Sequence, residues 1–270
     1  MPELPEVETS CRGIAPAMEN QVIQEVITRI KKLRWPIPKN INAKLKNKKI
    51  ISIERKAKYI LLHTNNGTLI IHLGMSGSLR IIKNNEPASK HDHVDILLNN
   101  NLALRLRDPR KFGCFLWTKN YLKHPLLCNL GIEPLSNLFN GEYLYKKSRK
   151  RKISIKQFIM NNLIVVGIGN IYASEALFLS GINPKIVAGK ISIKRMNKLS
   201  ASIKNVLKKA ITAGGTTLRD FQKGDGTPGY FKIQLNVYDR KDKPCRICRT
   251  KISLIKQGQR ATYYCKNCQK

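Results

Sequence analysis

Two stretches hold residues whose type and spacing declare chemistry. Residues 2–9 read Pro-Glu-Leu-Pro-Glu-Val-Glu-Thr, and the tail reads Cys245-x2-Cys248-x16-Cys265-x2-Cys268. Pro2 follows the initiator methionine, a context in which that methionine is commonly removed, leaving Pro2 with the only secondary amine of the chain. Such an amine attacks an electron-poor carbon and forms an iminium ion, an electron sink that labilises a neighbouring C–H bond. A free α-amino group titrates near roughly 8, so a modest shift makes the neutral nucleophile available at physiological pH. Glu3, next along, is placed to shuttle protons during attack and elimination. The four cysteines form two tight pairs, each spaced to clamp one side of a tetrahedral ion. Disulfides are the alternative, but a reducing cytosol favours one structural Zn2+, closed by four thiolates with no open position for water. Cys11, Cys114 and Cys128 are scattered and read as small buried apolar groups.

These groups must be positioned, and the surrounding pattern suggests how. Pro5, with Glu6 and Glu8 following, marks a helix start, since acids are favoured near a helix N-terminus. Val7, Cys11, Ile14, Ala15 and Met18 then share one face. Glu3 precedes the helix, and that explanation does not reach it. Eight short, often β-branched runs follow: 22–30, 49–55, 59–63, 68–73, 78–82, 94–98, 102–106 and 114–117. Turn signals such as Asn65-Asn66-Gly67 separate them, which predicts a β-sandwich or barrel. Beyond about residue 130 helical patterns take over at 156–161, 171–180 and 192–213, and Gly214-Gly215 ends the last of them. The fold class is therefore α+β. The organisation expected is a β-rich domain over 1–130, a linker or hinge over 131–152, a helical domain over 153–231 and the cysteine finger over 232–270.

The chain carries 50 Lys and Arg against 17 Asp and Glu, a formal charge of +33. Both halves are basic, which points to a polyanionic partner, foremost nucleic acid. AT-rich coding drift toward Lys, Asn and Ile, ribosomal association and a membrane surface are the competing explanations. No apolar run is long enough to span a bilayer, and the acidic, proline-containing start is unlike a signal peptide, so a cytoplasmic protein is expected. The run 146–152 is strongly basic and reads as a solvated connecting face, phosphate contact being the weaker reading. Val166-Gly-Ile-Gly-Asn-Ile-Tyr172 superficially suggests a dinucleotide loop, but it lacks the third glycine and a βαβ context. It reads better as a tight turn opening a helix, with Asn170 at the N-cap where backbone amides can hold a phosphate.

Several motifs, in order, resemble the bacterial formamidopyrimidine-DNA glycosylases over essentially the whole chain. They are the 2–9 stretch, Arg55-Lys-Ala-Lys-Tyr59, His72-Leu-Gly-Met-Ser-Gly77, Asp108-Pro-Arg-Lys-Phe-Gly113, Gly167-Ile-Gly-Asn-Ile-Tyr-Ala-Ser-Glu175, Gly214-Gly-Thr-Thr217 and the four-cysteine finger. The resemblance implies an N-terminal β-sandwich with flanking helices, a helix–two-turn–helix region and a zinc-stapled β-hairpin, with damaged double-stranded DNA held between the halves of a monomer. It implies removal of oxidised purines, then β- and δ-elimination at the abasic site. Carried over by position, Pro2 is the nucleophile, Glu3 the acid/base, Glu6 a supporting carboxylate and Lys58 a catalytic lysine beside the DNA. A nucleotide under attack at C1′ must leave the helix. Met75, Arg110 and Phe112 match the residues that fill the hole it leaves, Arg110 facing the orphaned base. Lys156, Asn170 and Arg260 match groups that clamp the DNA backbone, the finger presenting Arg260 rigidly. His91 and His93 look like metal ligands but read as scaffold hydrogen-bonding groups, His91 also being carried as a DNA contact. The polar, Gly-rich segment 216–230 matches a loop that closes over the extruded base. A sibling reading is the endonuclease eight type, which prefers oxidised pyrimidines; Leu4 and the Met75, Arg110, Phe112 set favour the purine branch. A non-catalytic zinc-stabilised DNA-binding protein is the rival from another class.

Overall fold

The computed structural model describes residues 2–215 and 235–270, which divide into two compact units. One unit comprises 2–128 with 213–215, the other 129–212 with 235–270. The expected lesion-closing loop over 216–230 lies outside the described residues.

The first unit opens with helix α1 (Leu4–Met18), then β1 (Ile23–Thr28), the short α2 (Ile41–Leu45), β2 (Ile50–Lys56), β3 (Tyr59–Thr64), β4 (Gly67–His72), β5 (Ser78–Lys83), β6 (Asp92–Leu98), β7 (Leu102–Arg107) and β8 (Cys114–Thr118). Two four-stranded antiparallel sheets result, ordered β1-β6-β7-β5 and β2-β3-β4-β8. Period-two alternation turns Val26, Val94, Ile96, Leu104 and Leu106 from one sheet, and Ile53, Ile60, Leu62, Leu69, Ile71 and Phe115 from the other, into one shared core. That is a β-sandwich, and all eight strands lie where the alternation placed them. Helix α1 buries Val7, Cys11, Ile14 and Met18 on the predicted stripe. It packs against β2 and β5, the edge strands of the two sheets, and so anchors the chain start to both.

The second unit holds α3 (Gly141–Ser148), α4 (Ile155–Ile159), α5 (Asn170–Ser180), α6 (Ile193–Thr212) and a hairpin of β9 (Ser253–Gln257) and β10 (Arg260–Tyr264). Helix α5 is apolar and buried nearly all round, so it forms the centre of the unit; α6, α4 and β10 pack on it, and α3 packs on the far helix α6. Two helices, α2 and α3, go beyond the sequence expectations. The first is too short for a period to show, and lysines obscure the second: the basic run 146–152 starts inside the last turn of α3. Its Ser148 is buried, and the Arg149 guanidinium stacks 3.9 Å from the Tyr145 ring centre while donating to the Ile191 carbonyl at 2.8 Å. That part of the run is packed structure, not a solvated connector. Cys11 and Cys114 are buried as expected, but Cys128 is exposed.

Among the described residues no helix is long and apolar enough to cross a membrane. On the β6–β7 ladder Arg105, 2% exposed, bonds both oxygens of Asp95 at 2.9 Å and caps the carbonyls of Glu86 and Pro87. Burial raises the Asp95 carboxyl, but Arg105 and Arg29 outweigh it and hold the group below its ordinary value. Replacing Arg105 by Ala takes the two-pronged partner from buried Asp95, leaving it Arg29, and should cost stability toward the lower end of about 3–5 kcal/mol by denaturant unfolding. Because the folded Asp95 value is depressed, this stabilisation is complete above the ordinary carboxylate range. It fades as pH falls through the lowered value, so the gap between wild type and variant should close in acid.

Candidate functional site: a buried chain start and an arginine on a zinc-type finger

Pro2, Glu3 and Glu6 are all buried at the start of α1. The Glu6 carboxylate accepts the Glu3 backbone N–H at 2.8 Å, satisfying an amide that the helix itself leaves unpaired. Gly215 lies against this corner. Its φ is +80°, and a Cβ there would come within 3.3 Å of Glu6 Cγ, so glycine serves both the turn and the close approach. The carboxylates that the opening sequence singled out are thus brought together, one as a partner of the other's backbone.

Lys58 occupies the two-residue turn between β2 and β3, and only 8% of it is exposed. Near it stands His72, at the end of β4, whose ring lies 4.9 Å from that of Tyr59. Burial, then the charges of Lys58 and Arg34, push His72 down to about 4, so the ring is neutral at physiological pH. Its Nδ1 accepts the Gly74 N–H at 3.0 Å, which leaves the proton on Nε2. His72 is therefore a fixed neutral donor. It lies in the His72–Gly77 motif, where nothing in the sequence shows which ring nitrogen is engaged.

Met75, Arg110 and Phe112 are exposed on two different loops, yet those loops are fastened together. Fully buried Asp108 accepts Ser76 Oγ at 2.8 Å with one oxygen and the Gly113 N–H at 2.8 Å with the other. Ser76 Oγ in turn accepts the Arg110 N–H at 3.2 Å. A Cβ on Gly74 would meet the Phe112 carbonyl carbon at 2.4 Å, so the backbones touch where only glycine fits. The Arg110 guanidinium lies 5.0 Å from the Phe112 ring centre. His93 donates from Nε2 to the Asp108 carbonyl at 2.9 Å, and burial lowers its basicity, in keeping with a scaffold role. His91 is half-buried, and its carbonyl accepts the Asp108 amide.

In the second unit Lys156, Asn170 and Arg260 converge on the hairpin. Lys156 is 2% exposed, and its ammonium bonds the Ala261 carbonyl at 2.9 Å and Thr262 Oγ1 at 2.8 Å. Asn170 Nδ2 reaches the same carbonyl at 2.9 Å, while its Oδ1 is buried without a partner. Gly169, not Asn170, is the N-cap of α5; Asn170 is the first helical residue, its side chain turned to the hairpin instead of its own helix. Exposed Arg260 starts β10, beside the tight turn at Gly258 and Gln259. Further along α5 the buried Glu175 carboxylate accepts three consecutive backbone amides, those of Asn236, Val237 and Tyr238, at 2.8–2.9 Å. Gly181 and Ile182, just past the helix, bond the backbone of Lys270 and the side chain of Gln269. One helix therefore fixes the finger at three levels.

The four cysteine sulfurs lie within 4.8 Å of one another, with Cys248–Cys265 at 3.4 Å and Cys245–Cys268 at 3.9 Å. These are far from disulfide lengths and close to the ~3.8 Å edge of a tetrahedron built on Zn–S bonds of about 2.3 Å. The Ile247 amide points at Cys245 Sγ and the Cys268 amide at Cys265 Sγ, donors suited to thiolates. The donor set fits one structural Zn2+. Removing the metal with a chelator, or replacing Cys265 by Ser, should sharply raise hydrogen exchange over 245–268 while the β-sandwich amides stay protected. Equal deprotection of both units would contradict a finger-specific role.

Comparison with known proteins agrees along the chain. Models of the formamidopyrimidine-DNA glycosylase N-terminal domain, of the corresponding H2TH domain, and of a zinc finger found in FPG and IleRS match residues 1–115, 130–222 and 242–270. The formamidopyrimidine-DNA glycosylase of a Pseudomonas putida strain is 54% identical over 270 residues, all of both chains. That of Hydrogenovibrio crunogenus is 55% identical over 271 residues, covering all of this chain and 97% of its own. The FPG protein of Thermus thermophilus superposes with a TM-score of 0.89 at 30% identity, over 99% of this chain and 98% of that one. Lactococcus lactis Fpg bound to abasic-site DNA gives 0.91 at 29% identity, over 99% of each chain. Full-length identity above one half, together with three domain models in order, settles the kinship: the chain belongs to the formamidopyrimidine-DNA glycosylase family.

Proposed function

We propose that this protein excises oxidised purines such as 8-oxoguanine and formamidopyrimidines from duplex DNA and then cleaves the abasic strand. The observation that carries the reading is the buried Pro2–Glu3–Glu6 corner, in the same unit as Lys58 and the fastened loops of Met75, Arg110 and Phe112. With Met1 removed, the Pro2 ring nitrogen attacks C1′ of the flipped nucleotide as the bond from C1′ to the base breaks. Glu3 takes the proton that the Pro2 nitrogen sheds on bonding C1′ and gives it to O4′ as the sugar ring opens, leaving a cationic iminium between Pro2 and C1′. Loss of a C2′ proton then expels the 3′ phosphate by β-elimination, and a second elimination expels the 5′ phosphate, so both ends keep phosphate. Glu6 holds the Glu3 backbone still throughout. Lys58 and the neutral Nε2–H of His72 serve the phosphates flanking the lesion, His72 without adding a charge.

Flipping leaves a gap that costs a few kcal/mol, roughly, in lost stacking and pairing. Met75 and Phe112 fill it with apolar surface, and Arg110 donates to the orphaned cytosine. In the second unit Arg260 and Asn170 bind phosphate, and Lys156 holds the hairpin that aims Arg260. In the first unit His91 is a further DNA contact. When bound, zinc supplies rigidity to that hairpin and no chemistry. The enzyme works as a monomer in the bacterial cytoplasm. The oxidised-pyrimidine alternative has no observation of its own in its favour.

Two measurements test this. Duplexes carrying 8-oxoguanine opposite cytosine should be cleaved in strong preference to duplexes carrying thymine glycol; the reverse preference would transfer the chain to the sibling specificity. Glu3→Gln should lower excision by roughly 10²–10⁴-fold with little change in DNA affinity. A Glu3→Gln enzyme of normal activity would remove the acid/base assignment.

A further inference from the structure

Glu8 and Arg55 have no part in the roles assigned above, yet they join the two elements that carry the chemistry. Glu8 lies in the second turn of α1, and Arg55 is the penultimate residue of β2. Arg55 Nε donates to Glu8 Oε2 at 2.9 Å, and its Nη1 donates to the Ala57 carbonyl at 3.1 Å. That carbonyl immediately precedes Lys58. The Arg55 side chain is only 10% exposed and that of Glu8 21%. The second Glu8 oxygen takes Arg12 Nε at 2.8 Å, but Arg12 is 67% exposed.

The turn being held is an unusual one. Ala57 has φ +57° and is 3% exposed, a left-handed conformation for a residue with a Cβ, where a tight hairpin would ordinarily use glycine or asparagine. Such a residue persists only where its surroundings over-determine it. One guanidinium supplies two restraints at once, since its planar fork bonds α1 along one edge and the turn carbonyl along another. A partly exposed ion pair adds little to stability. Its geometric consequence is larger: it couples the helix that directly follows Pro2 and Glu3 to the turn that carries Lys58.

We propose that Glu8 and Arg55 are positioning residues, which set Lys58 against the N-terminal amine and carboxylate. The proposal rests on the function given above. A displacement of about 1 Å at a reacting group can lower a rate by around 100-fold, so a pair of small stabilising value can still govern turnover.

The test uses the full-length protein on duplexes with a central abasic site or 8-oxoguanine, reading single-turnover excision and borohydride-trapped adduct. Arg55→Lys keeps the charge but not the fork. It should melt close to wild type and bind DNA with unchanged Kd, while adduct formation slows by roughly ten- to hundredfold. Glu8→Gln should shift the rate in the same direction by less, and Arg12→Ala should leave it unchanged. The decisive readout is a double-mutant cycle: if Arg55 acts through the Lys58 turn, Arg55→Lys costs little further in a Lys58→Ala background. Independent, additive losses would overturn the proposal, as would a wild-type rate in both Arg55→Lys and Arg55→Ala, or a loss explained wholly by unfolded protein. A wild-type enzyme that forms no trapped adduct would instead overturn the underlying function, and the role of the pair with it.

Discussion

One hydrogen bond organises the working end of the molecule: the Glu6 carboxylate accepting the Glu3 amide inside a buried helix start. Chain termini usually sit loose at the surface. Here Pro2 and Glu3 are buried, because α1 packs on an edge strand of each sheet and the Glu3 amide is satisfied by a side chain one turn on. The proposed use of the Pro2 nitrogen as a reagent depends on Pro2 being held in this way. The core of Val7, Cys11, Ile14 and Met18 exists locally to hold that helix in place.

The scarce acids show a related economy in an otherwise cationic chain. Glu6 holds an amide, Asp108 joins two loops, Asp95 neutralises a buried arginine and Glu175 gathers three amides at the root of the finger. Each carboxylate is buried and occupied by donors of the protein. Exposed acids such as Glu54, Glu86 and Asp242 remain, but lysine and arginine outnumber acids 50 to 17 along the chain, as suits a polyanion. Large exposed groups such as Phe112 and Met75 are carried on loops whose backbones are locked, so these side chains are presented without a supporting core of their own.

Much of this was legible in the sequence. Alternation marked the eight strands because each has one face in a shared core, and the cysteine spacing marked the finger because a tetrahedral ion demands it. Helix α3 was hidden because its last turn is lysine-rich and its apolar contacts are few. The cap of α5 falls one position before Asn170, since a turn rich in glycine offers two candidate caps. The neutral tautomer of His72 depends on the Gly74 amide, and the two-way bond of Arg55 depends on where β2 meets α1; both arise from contacts that no local pattern encodes. The family motifs indicated which residues matter, and the geometry adds how they are held.

The proposed chemistry requires the ring nitrogen of residue 2 to become bonded to the sugar. Proteolytic mapping by mass spectrometry of the borohydride-reduced protein–DNA adduct tests it most directly. The deoxyribose remnant should be found on a peptide beginning at Pro2, with Met1 gone. A remnant on Lys58 or any other lysine, or an active protein that still carries Met1, would contradict it.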